Sequence, residues 1–243
     1  MWLLFFIQLS VVLTFLILGW AILKKEAYGL ISNFKSRPEA EQAELIQNGY
    51  PQRIGKLLIG TALGMLILFP LIFTPFTYAL EVQFSFMLVF LLGGFIYLSK
   101  YEVINKRKRS YIISMVLFIV VIGFVAGLSV LGYQEFELVI QEDTFEVTGL
   151  YGDEWKYEEI RRVELFEVMP EVTYRTNGFG LPTMSKGHFK VKDFGNSLLY
   201  LYKGDAPYLY IELEDQQIFI NSKSAIQTEN WYNHLSQEIE NTN

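Results

Sequence analysis

Residues 110–148 read SYIISMVLFIVVIGFVAGLSVLGYQEFELVIQEDTFEVT, and two kinds of structure meet inside them. The first 25 residues, 110–134, carry no Asp, Glu, Lys or Arg and are long enough to cross a hydrocarbon layer of ~30 Å as a helix. From Glu135 the pattern becomes alternating: Phe136, Leu138 and Ile140 against Glu135 and Glu137, then Phe145 and Val147 against Thr144, Glu146 and Thr148. Alternation of period two is the mark of half-buried strands. A membrane part therefore hands over to a β domain near residue 135.

Three more stretches upstream lack charge: 2–23, 57–80 and 82–99. The expected fold is a bundle of four transmembrane helices over 1–134, then a mainly-β domain over 135–243. Charged residues are only 19% of the 243 and hydrophobic ones 51%, which excludes a soluble enzyme and a disordered chain. With no Cys and only His188 and His234, neither a disulfide framework nor a cysteine or multi-histidine metal site is available. No cofactor is implied.

Charge divides the chain in the same place. Residues 1–132 hold 11 basic and 6 acidic side chains, residues 133–243 hold 9 and 20. So acidic a domain is a poor partner for nucleic acid or for anionic headgroups. The connectors 24–56 and 100–109 are the basic ones, and basic connectors stay on the cytoplasmic side. The N-terminus and the domain after span four are then expected outside, and the first partner is the lipid bilayer. Pro70 and Pro75 should kink span two or end it early, and Glu81 is left as the tight link to span three. No ionisable side chain lies within a span, which argues against a transporter. Gly60 with Gly64, and Gly123 with Gly127, have the small-xxx-small spacing that permits close helix packing, inside the bundle or between copies.

In the connector, Pro38 before Glu39, Glu41 and Glu44 predicts a helix that Asn48-Gly49 stops. With the flanking spans, and with Arg53-x-Gly55 opening a hydrophobic hairpin, roughly residues 5–100 resemble the bacterial membrane family called domain of unknown function 3784. That resemblance implies a small integral-membrane unit with no assigned activity.

The β domain shows seven or eight short apolar runs separated by turn signals such as Gly149–Asp153, Asp193–Asn196 and Gly204-Asp205, as expected for an antiparallel sandwich or barrel. Ser224 with Gln227 predicts a capping box opening a helix over about 224–239, with Ile226, Trp231, Leu235 and Ile239 near one face. Residues 135–222 and the helix after them resemble the bacterial PH-like (pleckstrin-homology-like) domains. The segments that carry it are GDEWKYEEIRRVEL, Arg175-Thr-Asn-Gly178, Gly187-x-Phe189, DFGNSLLYLY, YLYIEL and FINSK. It implies a binding or assembly module with no catalytic residues.

The longest irregular stretch, 169–187, is expected to be either a functional loop or a mobile hairpin loop whose glycines only permit turns. Its candidate partner-binding residues are Arg175, Thr176, Asn177, Gly178 and Lys186. The adjacent acidic pairs, such as Glu158-Glu159, do not establish the separated carboxylates of a glycosidase, and no enzyme signature is present. The sequence expects an extracytoplasmic module that binds a protein or peptide, in envelope stress or antimicrobial immunity. The alternative is self-assembly of a homo-oligomer, through Tyr200, Tyr202, Tyr208 and Tyr210 facing outward. Phosphoinositide binding does not transfer, for want of a basic pocket.

Overall fold

The computed structural model describes residues 2–242. Four of its helical segments are long and apolar enough to cross a membrane: Phe5–Lys24, Tyr50–Phe73, Ala79–Tyr101 and Ile104–Tyr133. The chain divides into two compact units, one up to Ala126 and one from Gly127.

The first unit opens with α1 (Trp2–Lys24) and the short connector helix α2 (Glu39–Gln47), which starts after Pro38 as the sequence predicts. Gly49, at φ +70°, ends that helix and leads into α3 (Tyr50–Leu68). The glycine is needed because a side chain disfavours that left-handed backbone.

Pro70 stops α3 at Leu68, and a 3-10 turn over Phe69–Phe73 follows. The expected link of little more than Glu81 is therefore wrong. The connection runs from Phe69 to Tyr78, and Glu81 lies in the first turn of α4 (Ala79–Leu98). The physical reason is Pro70 itself, whose ring and missing N–H forbid another α-turn. Gln83 Nε2 donates to the Leu68 carbonyl at 3.1 Å, where α3 ends.

Leu45 of α2 packs with Phe34 and Val103, and the buried core among the long helices of this unit comes from α1, α3 and α4. Val12, Ala62 and Met65 form its centre, with Phe15, Leu16, Phe86 and Met87 around them. Glycines set the close approaches: a Cβ on Gly64 would stand 2.1 Å from the Phe86 ring, and one on Gly19 2.9 Å from the Gly55 carbonyl. Span four differs. Helix α5 (Arg107–Tyr133) buries none of its most apolar window, and nothing lies within 4 Å of where Cβ atoms would stand on Gly123 and Gly127. Its first turns meet the residue that follows α4, the Ser110 and Ser114 hydroxyls lying 3.1 and 3.4 Å from that of Ser99.

The connector is tied down by an ion pair. Arg37 donates from Nη1 to Glu102 Oε1 at 2.5 Å and from Nη2 to Oε2 at 3.0 Å, with Glu102 almost fully buried. Arg107 Nε donates to the Glu102 carbonyl, and Lys106 reaches Glu41 at 2.6 Å. The hydrogen bond to Glu102 holds the Arg37 pKa above its already high ordinary value.

The second unit contains nine strands in two open sheets and a C-terminal helix. A three-stranded antiparallel sheet holds β1 (Leu138–Ile140), β2 (Thr144–Val147) and β3 (Asp153–Lys156) in that order. The larger sheet contains β4 (Ile160–Phe166), β5 (Val172–Gly180), β6 (Met184–Val191), β7 (Gly195–Tyr202), β8 (Tyr208–Leu213) and β9 (Gln217–Ile220). Its order is β4-β8-β9-β7-β6-β5, with β9 inserted between β8 and β7 and parallel to β7. The expected antiparallel sandwich or barrel takes the form of two open sheets, in which one pair, β7 and β9, is parallel.

At β7, β8 and β9 both faces of the larger sheet are covered. One packs Leu198, Tyr200, Leu209, Ile211, Ile218 and Ile220 against Phe145, Trp155 and the helix α6 (Ala225–Thr242). The other holds Leu199, Leu201, Tyr210 and Phe219 under Phe166 and Phe194, whose rings lie 5.0 to 6.2 Å from those of Tyr210 and Phe219. Tyr200, Tyr202, Tyr208 and Tyr210 are all buried, so the outward tyrosine face expected from alternation does not exist. Alternation assumes one wet face, and here neither face is wet. On α6 the buried positions are Thr228, Trp231 and Leu235, whereas Ile226 is 69% exposed. Thr228 Oγ1, accepting from Ser222 N, holds the start of the helix where Ile226 was expected to face the core.

Candidate functional site

Residues 169–187, expected to be irregular, are mostly the hairpin β5–β6. The strand β5 is an edge of the larger sheet and the most exposed strand of the domain, with Val172 through Asn177 all solvent-facing. Two register shifts interrupt its pairing with β6, between Val172 and Tyr174 and between Arg175 and Asn177. The skipped residues are both threonines. Thr173 Oγ1 donates to the Lys190 carbonyl and Thr176 Oγ1 to the His188 carbonyl, both at 2.9 Å. These hydroxyls satisfy acceptors at the bulges, where ladder pairing is locally lost.

Beyond the second bulge, Gly178 pairs with Gly187, and both have positive φ, +150° and +108°. A Cβ on Gly178 would stand 2.3 Å from the Lys186 carbonyl oxygen, and one on Gly187 2.6 Å from that of Asn177. The two strands come too close there for any side chain, which explains why both positions are glycine. Tyr151, in the turn after β2, leans on the same point: its hydroxyl reaches Asn177 Oδ1 at 3.4 Å and its ring meets His188 edge-on at 6.1 Å.

Four of the sequence candidates, Arg175, Thr176, Asn177 and Gly178, thus sit together on β5. Lys186 does not join them. Its side chain is fully buried, and Nζ donates to the Leu131 carbonyl at 3.2 Å and to that of Gln134. Those carbonyls belong to the last turn of α5 and the residue after it, and a cation there meets the negative end of the helix dipole. Burial pushes the Lys186 amine's pKa down. Nearby, a Cβ on Gly132 would meet the Phe179 ring at 2.9 Å, so hairpin and helix end pack as one piece. Lys186 anchors the domain to its helix and is not a surface contact.

Sequence reading missed Tyr174, which is 54% exposed beside Lys190, 5.8 Å from its ring, and Val172. The β-branched and aromatic run Val172-Thr173-Tyr174 was a strand signal, hidden by Pro170 before it and the glycines after it. Arg175 makes no ion pair among the described residues. A second concavity, about 300 Å³, lies between Phe136, Tyr202, Lys223 and Trp231. Lys223 is engaged there with Glu135 at 2.5 Å, which holds that carboxyl's pKa below its usual value. No group of three or more His, Cys, Asp or Glu suited to a metal ion occurs among the described residues.

No curated protein and no solved structure matches the chain. Residues 9–102, from within α1 to the buried Glu102, match the family model described as Domain of unknown function (DUF3784), and it is to that family that the stretch holding the first three span candidates is similar.

Proposed function

We propose that the protein is a multi-pass membrane protein that presents its β domain outside the cell as a PH-like binding module, without catalysis. The partner is a short extended peptide, or an extended segment of a protein, held against β5. Exposed edge strands offer unpaired backbone groups to an added strand, while neighbouring side chains give specificity. The observation that carries the reading is the exposed, nine-residue edge strand bearing Tyr174, Arg175 and Asn177. The bulges limit in-register pairing to short stretches such as 177–180, so the segment recognised is short. Arg175, free of any carboxylate of its own among the described residues, favours a peptide that brings one. The basic connectors support the outward orientation. Envelope stress, or immunity to a secreted antimicrobial peptide, is the setting such a surface serves.

A photo-crosslinking residue at Tyr174 or Thr176 in cells should trap a partner, whereas one at His234, exposed on α6, should not. Tyr174→Ala with Arg175→Glu should abolish capture and leave thermal stability unchanged. Undiminished capture by that double variant would remove β5 from the site.

One observation favours self-assembly as a second reading. Gly123 and Gly127 stand bare on a helix that buries none of its apolar window, the arrangement that lets two copies of a span pack closely. Gly127→Leu should then convert an oligomer in mild detergent to a monomer. A wild type already monomeric at high concentration excludes this reading.

A further inference from the structure

The connector end of the membrane unit gathers cations beside an apolar cleft. Arg53 and Lys56 lie on the first two turns of α3, and Tyr97 and Leu98 end α4. With Leu57 and Gly94 they line a cleft of about 250 Å³. Gly94 brings the helices together, since a Cβ there would stand 2.3 Å from Leu57 Cδ1. Just beyond, Lys100 and Tyr101 close the rim. The Arg53 guanidinium lies 3.8 Å from the centre of the Tyr101 ring, the Lys100 ammonium 3.6 Å from that of Tyr97, and the two tyrosine hydroxyls are 3.2 Å apart.

Among the described residues none of Arg53, Lys56 and Lys100 pairs with a carboxylate, and the acid nearest to Lys100 in sequence, Glu102, is taken by Arg37. Arg53 Nε is buried and makes no hydrogen bond. A part-buried cation without its anion is costly, and an anion from outside the chain removes that cost. The rest of the cleft says what else the ligand carries. Its floor is Leu57, Gly94 and Leu98, and further along the same two helices Leu63, Ile67 and Phe90 are exposed and apolar. Tyrosines at the end of a span belong to the interfacial belt, level with headgroups.

We propose that this cleft binds one anionic phospholipid. Arg53, Lys56 and Lys100 hold the phosphate, the Tyr97 and Tyr101 hydroxyls donate to its oxygens, and an acyl chain lies along α3 and α4. The inference requires the helices to cross a bilayer and makes no use of the β5 site, so either can fail alone.

Native mass spectrometry of the full chain, titrated in detergent with dioleoyl phosphatidylglycerol or dioleoyl phosphatidylcholine, tests it. The wild type should retain one phosphatidylglycerol in preference to phosphatidylcholine. Each cation removed should weaken that adduct about fivefold, so Arg53→Gln with Lys100→Gln should lose roughly 25-fold. Arg53→Lys with Lys100→Arg, which keeps both charges, should retain most of the binding. Lys24→Gln with Lys25→Gln, an equal charge loss at the end of α1, should leave it unchanged, and circular dichroism should show equal helicity in all variants. Equal loss from the Lys24 and Lys25 variant would mean a diffuse charge effect and overturn the proposal. So would undiminished binding by the Arg53 and Lys100 variant. Glycerol phosphate at millimolar concentration should not displace the lipid; displacement would make this a soluble-anion site and overturn the lipid assignment.

Discussion

Gly178 and Gly187 hold the β5–β6 hairpin at its closest approach, each at a backbone angle that side chains resist. Gly187→Ala should therefore destabilise the β domain by about 1–3 kcal/mol, measured as a lower denaturation midpoint of the detergent-solubilised chain. An unchanged midpoint would mean the strands can part there without cost. Tyr200 gives a pH-dependent expectation. Its buried hydroxyl donates to the Tyr151 carbonyl, and burial, with Asp153 nearby, raises its pKa well above the ordinary phenol value. An acid whose pKa is raised by folding contributes stability that is complete below the unfolded value, near pH 10, and is lost as pH rises beyond it. The domain should lose up to about 1.4 kcal/mol per pH unit above 10 for each such tyrosine. Tyr200→Phe should be weaker by about 1 kcal/mol at neutral pH but shallower in its alkaline decline. An alkaline slope identical to the wild type would contradict the assignment.

At the scale of elements, the Arg37–Glu102 pair joins the connector before α2 to the segment after α4. Glu102→Gln leaves the part-buried guanidinium only the more distant Glu41 carboxylate, at 3.8 Å, and should cost up to about 3–5 kcal/mol, seen as faster hydrogen exchange over residues 33–48. Replacing both partners by Met should recover most of the protection, and failure of the single variant to raise exchange would show the pair to be dispensable. The long elements were legible in the sequence: charge-free length gave the spans, Pro38 and Gly49 the ends of α2, and alternation eight of the nine strands. What stayed hidden had physical causes. Pro170, Gly178 and Gly180 read as loop punctuation, yet Gly178 is a condition for the close pairing with Gly187, so β5 stays hidden. Alternation places the tyrosines of β7 and β8 in water because it does not reveal a second covering layer, here Phe166 and Phe194. Lys186 looked like a loop cation because its partners, the carbonyls ending α5, are some fifty residues away in sequence. The candidate surface itself was half legible, since Arg175 to Gly178 lie together on β5 and Tyr174 was absent from the expected set.

For the whole molecule, the proposal is a membrane unit followed by an acidic β domain whose exposed edge would meet a peptide outside the membrane. Its central claim is the side on which that domain lies. The chain has no Cys, so single cysteines report cleanly. Ser185, inside the expected loop, is a buried strand residue and unsuitable, whereas Asp215 in the turn between β8 and β9 is exposed, as is Asn105 in the basic connector. Intact cells carrying Asp215→Cys or Asn105→Cys would be treated with a membrane-impermeant maleimide, with lysed cells as the reference. Labelling at 215 and protection at 105 is the predicted result. Protection at 215 with labelling only after lysis would put the domain in the cytoplasm and contradict the account.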